Sequence, residues 1–198
     1  MLRWDSFGRP DVVEQVRAAL TSFEQASVRG WIIDMRWNTG GVSSVVSRLL
    51  LDRGRIFSRL RHNEVRVPDG ALIAMREDID ATGTALPFQR PLIILIGPGS
   101  MSGAESFAGP LQARGRATLV GERTAGLCGG AHHVVLAPGW EVWITAWETV
   151  FDAAEQRVNR IGVTPDVIVT PSLEDEAAGR DPQLDAALDI LRRQTATH

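Results

Sequence analysis

The sequence predicts an α/β fold built on a parallel sheet, and three observations carry the prediction. Two short apolar runs, Trp31-Ile32-Ile33-Asp34-Met35 and Leu92-Ile93-Ile94-Leu95-Ile96, are bounded by turn residues, as strands buried on both faces are. Each run leaves through a glycine-rich turn toward a segment of helical character. A further strand, Ala117 to Gly121, then completes a strand, loop, helix, strand succession of the kind that builds helix-covered parallel sheets.

The elements follow in order. Val13, Val16, Leu20 and Phe23 lie at helical spacing behind Pro10, which predicts a helix from about Asp11 to Gln25. After the first strand comes Arg36-Trp37-Asn38-Thr39-Gly40-Gly41, then a helix expected over Val42 to Leu51. Arg53 to Arg90 has no single period and reads as irregular strands and loop. The second strand runs into Gly97-Pro98-Gly99-Ser100-Met101-Ser102-Gly103 and a helix with Ala104, Phe107, Ala108 and Leu111 on one face. Strands at His132 to Leu136 and Glu141 to Ala146 flank Ala137-Pro138-Gly139-Trp140, a hairpin connection. A late strand covers Val167 to Val169. Asp181-Pro182 then caps a helix whose Leu184, Ala187, Leu188 and Leu191 share one face. With no repeat, low-complexity tract or linker, residues 1–198 read as one domain.

Composition excludes several classes. An apolar fraction of 44% with 23% charged residues is that of a globular chain rather than a disordered one. A net charge of −3 gives no electrostatic reason to expect nucleic acid or an anionic membrane as partner. All 21 basic residues are arginine, so lysine chemistry is excluded within these residues. Cys128 is the only cysteine, which rules out an intrachain disulfide. Met1 to Pro10 has no signal-peptide pattern, and no apolar run reaches the roughly 18 residues of a membrane span. Four histidines without ligand spacing give no reason to expect a metal, and no cofactor is expected.

Two turns are candidates for chemistry. Ser102 stands where a helix N-terminus turns free N–H groups and partial positive charge outward, and Gly103 lets a carbonyl approach its N–H closely. Taken alone, Ser100 and Ser102 read more readily as turn and capping residues, and the nucleophile elbow G-x-S-x-G is absent because positions 100 and 104 are serine and alanine. The Asn38-Thr39-Gly40-Gly41 turn could present N–H groups to a ligand oxygen, or be a plain strand-to-helix turn. Their pairing matters more, since loops leaving neighbouring parallel strands meet at the sheet edge where such folds bind ligands.

Three ordered motifs resemble the C-terminal processing (tail-specific) protease and tricorn family of serine peptidases. They are Asp34-Met35-Arg36-Trp37-Asn38-Thr39-Gly40-Gly41, Gly115-Arg116-Ala117-Thr118-Leu119-Val120-Gly121-Glu122-Arg123-Thr124 and Gly162-Val163-Thr164-Pro165-Asp166. The resemblance runs from Leu2 to about Leu191. It implies a crotonase-like parallel-sheet superhelical core with an additional β-hairpin and a polypeptide substrate. It also implies Ser102 as nucleophile and the Gly41 and Gly103 N–H groups as oxyanion donors. A PDZ module and a preceding helical segment are expected in the family and are not among these residues. Export to the cell envelope is suggested by the resemblance alone.

The departures from the family pattern concern the base. The position of the family's general-base lysine is Leu127, and the position of the tricorn-type glutamate is Asn159, which could orient an imidazole but not neutralise an imidazolium. His132 and His133 are local candidates for the base, or ordinary strand-edge residues. A non-catalytic binding domain of the same fold, or an acyl-thioester enzyme of the wider crotonase-like group, are the other classes. Cys128 is expected to be an inert packed residue, His62 and His198 surface residues, and Asp34 and Arg36 structural partners near the site. Trp140, Trp143 and Trp147 are expected to pack the sheet.

Overall fold

The computed structural model describes residues 1–26, 28–47, 49–50, 56–62, 65–66, 72–73, 76–80, 90–151 and 156–196. In chain order the elements are β1 (Leu2–Arg3), α1 (Val12–Gln25), β2 (Trp31–Asp34), α2 (Ser44–Ser47), β3 (Ile56–His62), β4 (Val65–Arg66), β5 (Leu72–Ile73) and β6 (Arg76–Asp80). They continue as β7 (Leu92–Ile96), α3 (Gly103–Ala113), β8 (Thr118–Gly121), β9 (Gly129–Ala137), β10 (Trp140–Phe151), β11 (Gln156–Arg157), β12 (Val167–Ile168), α4 (Leu173–Ala177) and α5 (Pro182–Ala196).

The main sheet has the order β1-β2-β7-β8-β12, and every neighbouring pair in it is parallel. β2 and β7 are buried along their whole length, which is why they read as near-continuous apolar runs rather than alternating ones. The period of two is still present. Ile33, Ile94, Ile96 and Leu119 face the larger core under α1 and α3, whereas Ile32, Ile93, Leu95 and Val120 face α5 through Ala187 and Ile190. Helices therefore cover both faces, and the expected α/β class with a parallel sheet is what the chain adopts. Behind α3, the rings of Trp4, Phe7 and Phe107 meet at centroid distances of 4.5, 5.7 and 5.3 Å, tying that helix to the N-terminal segment.

A second, antiparallel sheet has the order β11-β10-β3-β6, with β9 pairing β10. It is anchored on the body at Phe151, which is fully buried and packs so closely on α3 that a β-carbon at Gly109 would stand 2.1 Å from its ring. The hairpin is longer than expected, spanning Gly129 to Phe151, because β10 continues through buried Thr149, Val150 and Phe151 to pair with β3.

The expected packing of all three tryptophans is corrected by the structure. Trp140 and Trp143 are 72% and 65% exposed, and only Trp147 is partly buried. The cause is topological: pairing of β10 with β3 starts at Trp147, so residues 140–146 have β9 beside them and no second neighbour among the described strands.

Of the helix expected over Val42 to Leu51, the described residues show regular helix at Ser44–Ser47, with bonds from Leu49 N–H to the Val46 carbonyl and from Leu50 N–H to the Ser47 carbonyl; positions 48 and 51 lie outside the described residues. Ser47 Oγ donates to the Ser43 carbonyl at 3.0 Å alongside the Ser47 N–H, a back-bond of the kind that bends helices. Much of Arg53 to Arg90, and His198, lie outside the described residues; of the strands described there, β3 pairs β6 and β4 pairs β5, both antiparallel.

α5 starts as its cap pair predicts, with Leu184 N–H donating to Asp181 Oδ1 at 3.0 Å. Asp181 also joins Asp34 around Arg36. The guanidinium donates to both oxygens of Asp34 at 2.9 and 2.7 Å and to both of Asp181 at 2.9 and 2.8 Å, which holds it above its ordinary pKa. Burial raises the Asp181 pKa, but the bonds from Arg36 and the Leu184 N–H outweigh that and leave it below the usual carboxylate value. Such a group stabilises the fold above an unfolded aspartate's value near 3.9 and loses that contribution as pH falls through its lower folded value. Asp181→Asn is therefore expected to lower the melting temperature at pH 7 by about 2–4 °C and to flatten the acid limb below about pH 4, read by circular dichroism.

Candidate active site

The carboxyl ends of β2 and β7 lie side by side, and the turns that leave them pack on one another. Asn38, fully buried, shapes the first: its Nδ2 donates to the Trp4 carbonyl at 2.8 Å and its Oδ1 accepts from the Gly40 N–H at 2.9 Å. Its carbonyl accepts from the Met101 N–H of the second turn at 3.0 Å. Ser100, also fully buried, completes the frame by donating to the Met35 carbonyl at 2.8 Å.

Only glycine fits where the turns touch. Gly41 has φ +112°, and a β-carbon there would stand 2.5 Å from the Gly8 nitrogen. A β-carbon on Gly103 would stand 2.1 Å from the Gly41 carbonyl oxygen and 2.9 Å from the Gly41 nitrogen, and one on Gly40 would lie 2.7 Å from Ser102 Cβ. The structure thus brings Gly40, Gly41, Ser102 and Gly103 together. Neither the Gly41 nor the Gly103 N–H has an acceptor among the described residues. A pair of free amides beside a serine hydroxyl is an arrangement that can hold a developing oxyanion.

Ser102 itself is strained. It has φ +53° and ψ −114°, a region that residues with a side chain rarely enter and that costs about 1–3 kcal/mol. What holds the turn is Glu105, whose significance the sequence reading missed. Glu105 is fully buried, and its Oε2 accepts from the N–H groups of Ser102 at 3.0 Å and Leu127 at 2.9 Å. Its Oε1 accepts from Thr124 Oγ1 at 2.6 Å and the Gly126 N–H at 2.7 Å. Thr124 Oγ1 in turn accepts from the Val163 N–H at 2.7 Å. Burial pushes the Glu105 pKa up, while these four donors pull against it. One carboxylate therefore clamps the Ser102 turn to the loop after β8. The Ser102-x-x-Glu105 spacing of a capping box was the local signal for it.

The remaining site residues are placed as follows. Leu127 is 56% exposed on the clamped loop. Asn159 is half-buried beside β9, where a β-carbon on Gly129 would lie 3.5 Å from its Nδ2. His132 and His133 are exposed on β9. His133 stacks on Trp143 at 3.9 Å with Nδ1 4.0 Å from Glu141 Oε2, and His132 meets the Trp147 ring edge-on at 6.0 Å. Among the described residues neither histidine hydrogen-bonds Ser102, and no group of three or more metal-ligating side chains exists.

Cys128 is buried with Sγ 3.2 Å from Ser106 Oγ and 3.9 Å from the Ser102 carbonyl oxygen. Burial pushes its pKa up to about 11. The native thiol is expected to resist disulfide reagents at pH 8 and to react only after denaturation, in a colorimetric thiol titration. Because an unfolded thiol ionises near 8.5, the stability of the chain is expected to fall as pH rises from there toward about 11.

With this geometry in hand, the comparisons identify the class. Residues 1–169 match peptidase family S41, and the chain belongs to that family. It is 30% identical over 186 residues to the carboxyl-terminal-processing protease of Synechocystis sp., covering 90% of this chain and 40% of that protein. Among solved structures, it is similar to a photosystem II D1 C-terminal processing protease, with TM-score 0.69, 29% identity, and coverage of 86% of this chain and 42% of that one. It also shares its fold with mature CPAF, with TM-score 0.80 at 17% identity, over 99% of this chain and 52% of that one. The chain spans less than half the length of these curated relatives. No helix among the described residues is long and apolar enough to cross a membrane.

Proposed function

We propose that residues 1–198 form the single, crotonase-like core domain of a serine endopeptidase with Ser102 as nucleophile. The observation that carries this reading is the packing of the Gly40-Gly41 turn on the Ser102-Gly103 turn, with neither the Gly41 nor the Gly103 amide having an acceptor among the described residues. In the proposed step Ser102 Oγ bonds to the scissile carbonyl carbon of a polypeptide and gives up its proton to a base. The carbonyl electron pair moves onto oxygen between the two amides. Collapse expels the amine with that proton, leaving an acyl-enzyme that water hydrolyses.

The base is the open component. His132 and His133 are the candidates on this chain, on the strand that follows Cys128. A second reading, a polypeptide-binding domain of the same fold without turnover, is supported by the identities of Leu127 and Asn159, the residues that the resemblance puts at the family's base-bearing and base-orienting positions.

Intact-mass detection of fluorophosphonate labelling tests the two. On the first reading the chain gains one adduct, which Ser102→Ala abolishes and which His132→Ala or His133→Ala slows. A folded chain left unlabelled over hours, at a rate no faster than Ser102→Ala, would support the binding domain.

A further inference from the structure

Trp37 is 68% exposed, yet its setting is rigid. Met35 and Asn38, fully buried on either side, close the turn through the bond from Asn38 N–H to the Met35 carbonyl at 2.9 Å. The indole rests on Gly99, where a β-carbon would stand 2.7 Å from Trp37 Cε3 and 3.3 Å from Cζ3. The same β-carbon would stand 2.6 Å from the Arg36 carbonyl oxygen, so the close approach of the two turns requires glycine at position 99, and the indole lies over the space it leaves.

The ring lines a cavity of about 520 Å³, within the range of ligand sites, to which Pro98, Pro171 and Pro182 add apolar wall. The charges in its lining are unevenly matched. Arg36 is held by Asp34 and Asp181, and Arg180 by Asp175. Glu122 and Glu176 also line the cavity, and neither has an ion-pair partner among the described residues; Gln183 Nε2 donates to Glu122 at 3.4 Å. An aromatic face with two carboxylates lacking a cation complements a basic side chain, whose stem packs on apolar surface while its head meets the acids.

The cavity lies a short way from Ser102. Trp37 and Gly99 each stand three residues before the touching pair Gly40 and Ser102, and three Cα steps span at most about 11 Å. An extended polypeptide covers that distance in about three residues.

We propose that Trp37 and this cavity form a specificity subsite for a lysine or arginine side chain of a polypeptide, about three residues from the bond presented to Ser102. The position of that bond rests on the reading of Ser102 as nucleophile; the binding of the basic residue does not.

The test is therefore made on binding, with the Ser102→Ala protein and two blocked pentapeptides, acetyl-Ala-Ala-Lys-Ala-Ala-amide and its norleucine counterpart. The Trp37 indole N–H resonance is assigned by its loss in Trp37→Phe. The lysine peptide should shift that resonance and bind about two- to fivefold more tightly than the norleucine peptide, an advantage that shrinks as salt is raised. Trp37→Ala should abolish binding at the site. Glu122→Gln/Glu176→Gln, with an unchanged circular dichroism spectrum, should equalise the two peptides. Equal affinity of both peptides for the parent protein overturns the proposal, as does an unmoved Trp37 resonance with either peptide at millimolar concentration. Failure of the nucleophile reading appears separately, as absence of fluorophosphonate labelling in the chain that retains Ser102.

Discussion

The Leu127→Lys variant is expected to acylate at Ser102 about 10²–10⁴-fold faster than the parent chain, the range that a positioned general base contributes. The geometry favours the position. The amides of Leu127 and Ser102 donate to the same oxygen of Glu105, at 2.9 and 3.0 Å, so the two backbones are neighbours held by one buried group. The Leu127 side chain is 56% exposed, so a longer one is accommodated without displacing the core. A neutral amine is the active form, and exposed lysine ionises near 10.4; the gain should therefore grow as pH rises from 7 toward about 10. Leu127→Met, which matches length without basicity, should leave the rate at the parental level. The measurement is the pseudo-first-order labelling rate with a fluorophosphonate, followed by intact mass across that pH range. A folded Leu127→Lys variant with the parental rate throughout would remove position 127 from consideration as the seat of the base.

How much of this was legible beforehand depended on whether the signal was local. The strands Trp31–Asp34 and Leu92–Ile96 were readable because burial on both faces leaves a compact apolar run, and α5 because Asp181 and Pro182 mark its start. The meeting of the two glycine turns could be anticipated from parallel neighbours alone, and the contact of Gly103 with Gly41 is its realisation. The hairpin was misjudged because alternation cannot say whether another strand lies beneath. Trp143 and Ile144 pattern like core residues, yet β3 ends at His62, opposite Trp147, and does not reach them. Glu105 was passed over for a related reason: the Thr124, Gly126 and Leu127 donors come from a segment about 20 residues away, and only the fold aims them at one carboxylate. The roles suggested for Leu127 and Asn159 came from family resemblance, which no periodicity could have supplied.

Glu105→Gln is expected to cost the fold about 2–5 kcal/mol, and to cost Ser102 reactivity more than stability alone would explain. A glutamine has one acceptor oxygen and one donor group where the carboxylate has two acceptors. If its NH₂ faces Ser102 and Leu127, two backbone N–H groups lose their acceptor. If it turns the other way it confronts the Gly126 N–H and the Thr124 hydroxyl, which already accepts from Val163. Each buried orphan costs about 1–3 kcal/mol, and at about 2–4 °C per kcal/mol the melting temperature should drop by roughly 5–15 °C. The Ser102 backbone supplies the second effect. Its conformation stores about 1–3 kcal/mol of strain, opposed in part by the bond to Glu105, so weakening that bond lets the turn relax away from Gly41. At a temperature where both proteins are folded, labelling should fall at least tenfold in Glu105→Gln, because orientation of the reacting group is lost while its chemistry is unchanged. Glu105→Asp, which keeps the charge on a shorter arm, should recover more of the melting temperature than of the labelling rate. A Glu105→Gln protein that melts and labels like the parent would show that the clamp is not what holds Ser102 in its strained turn.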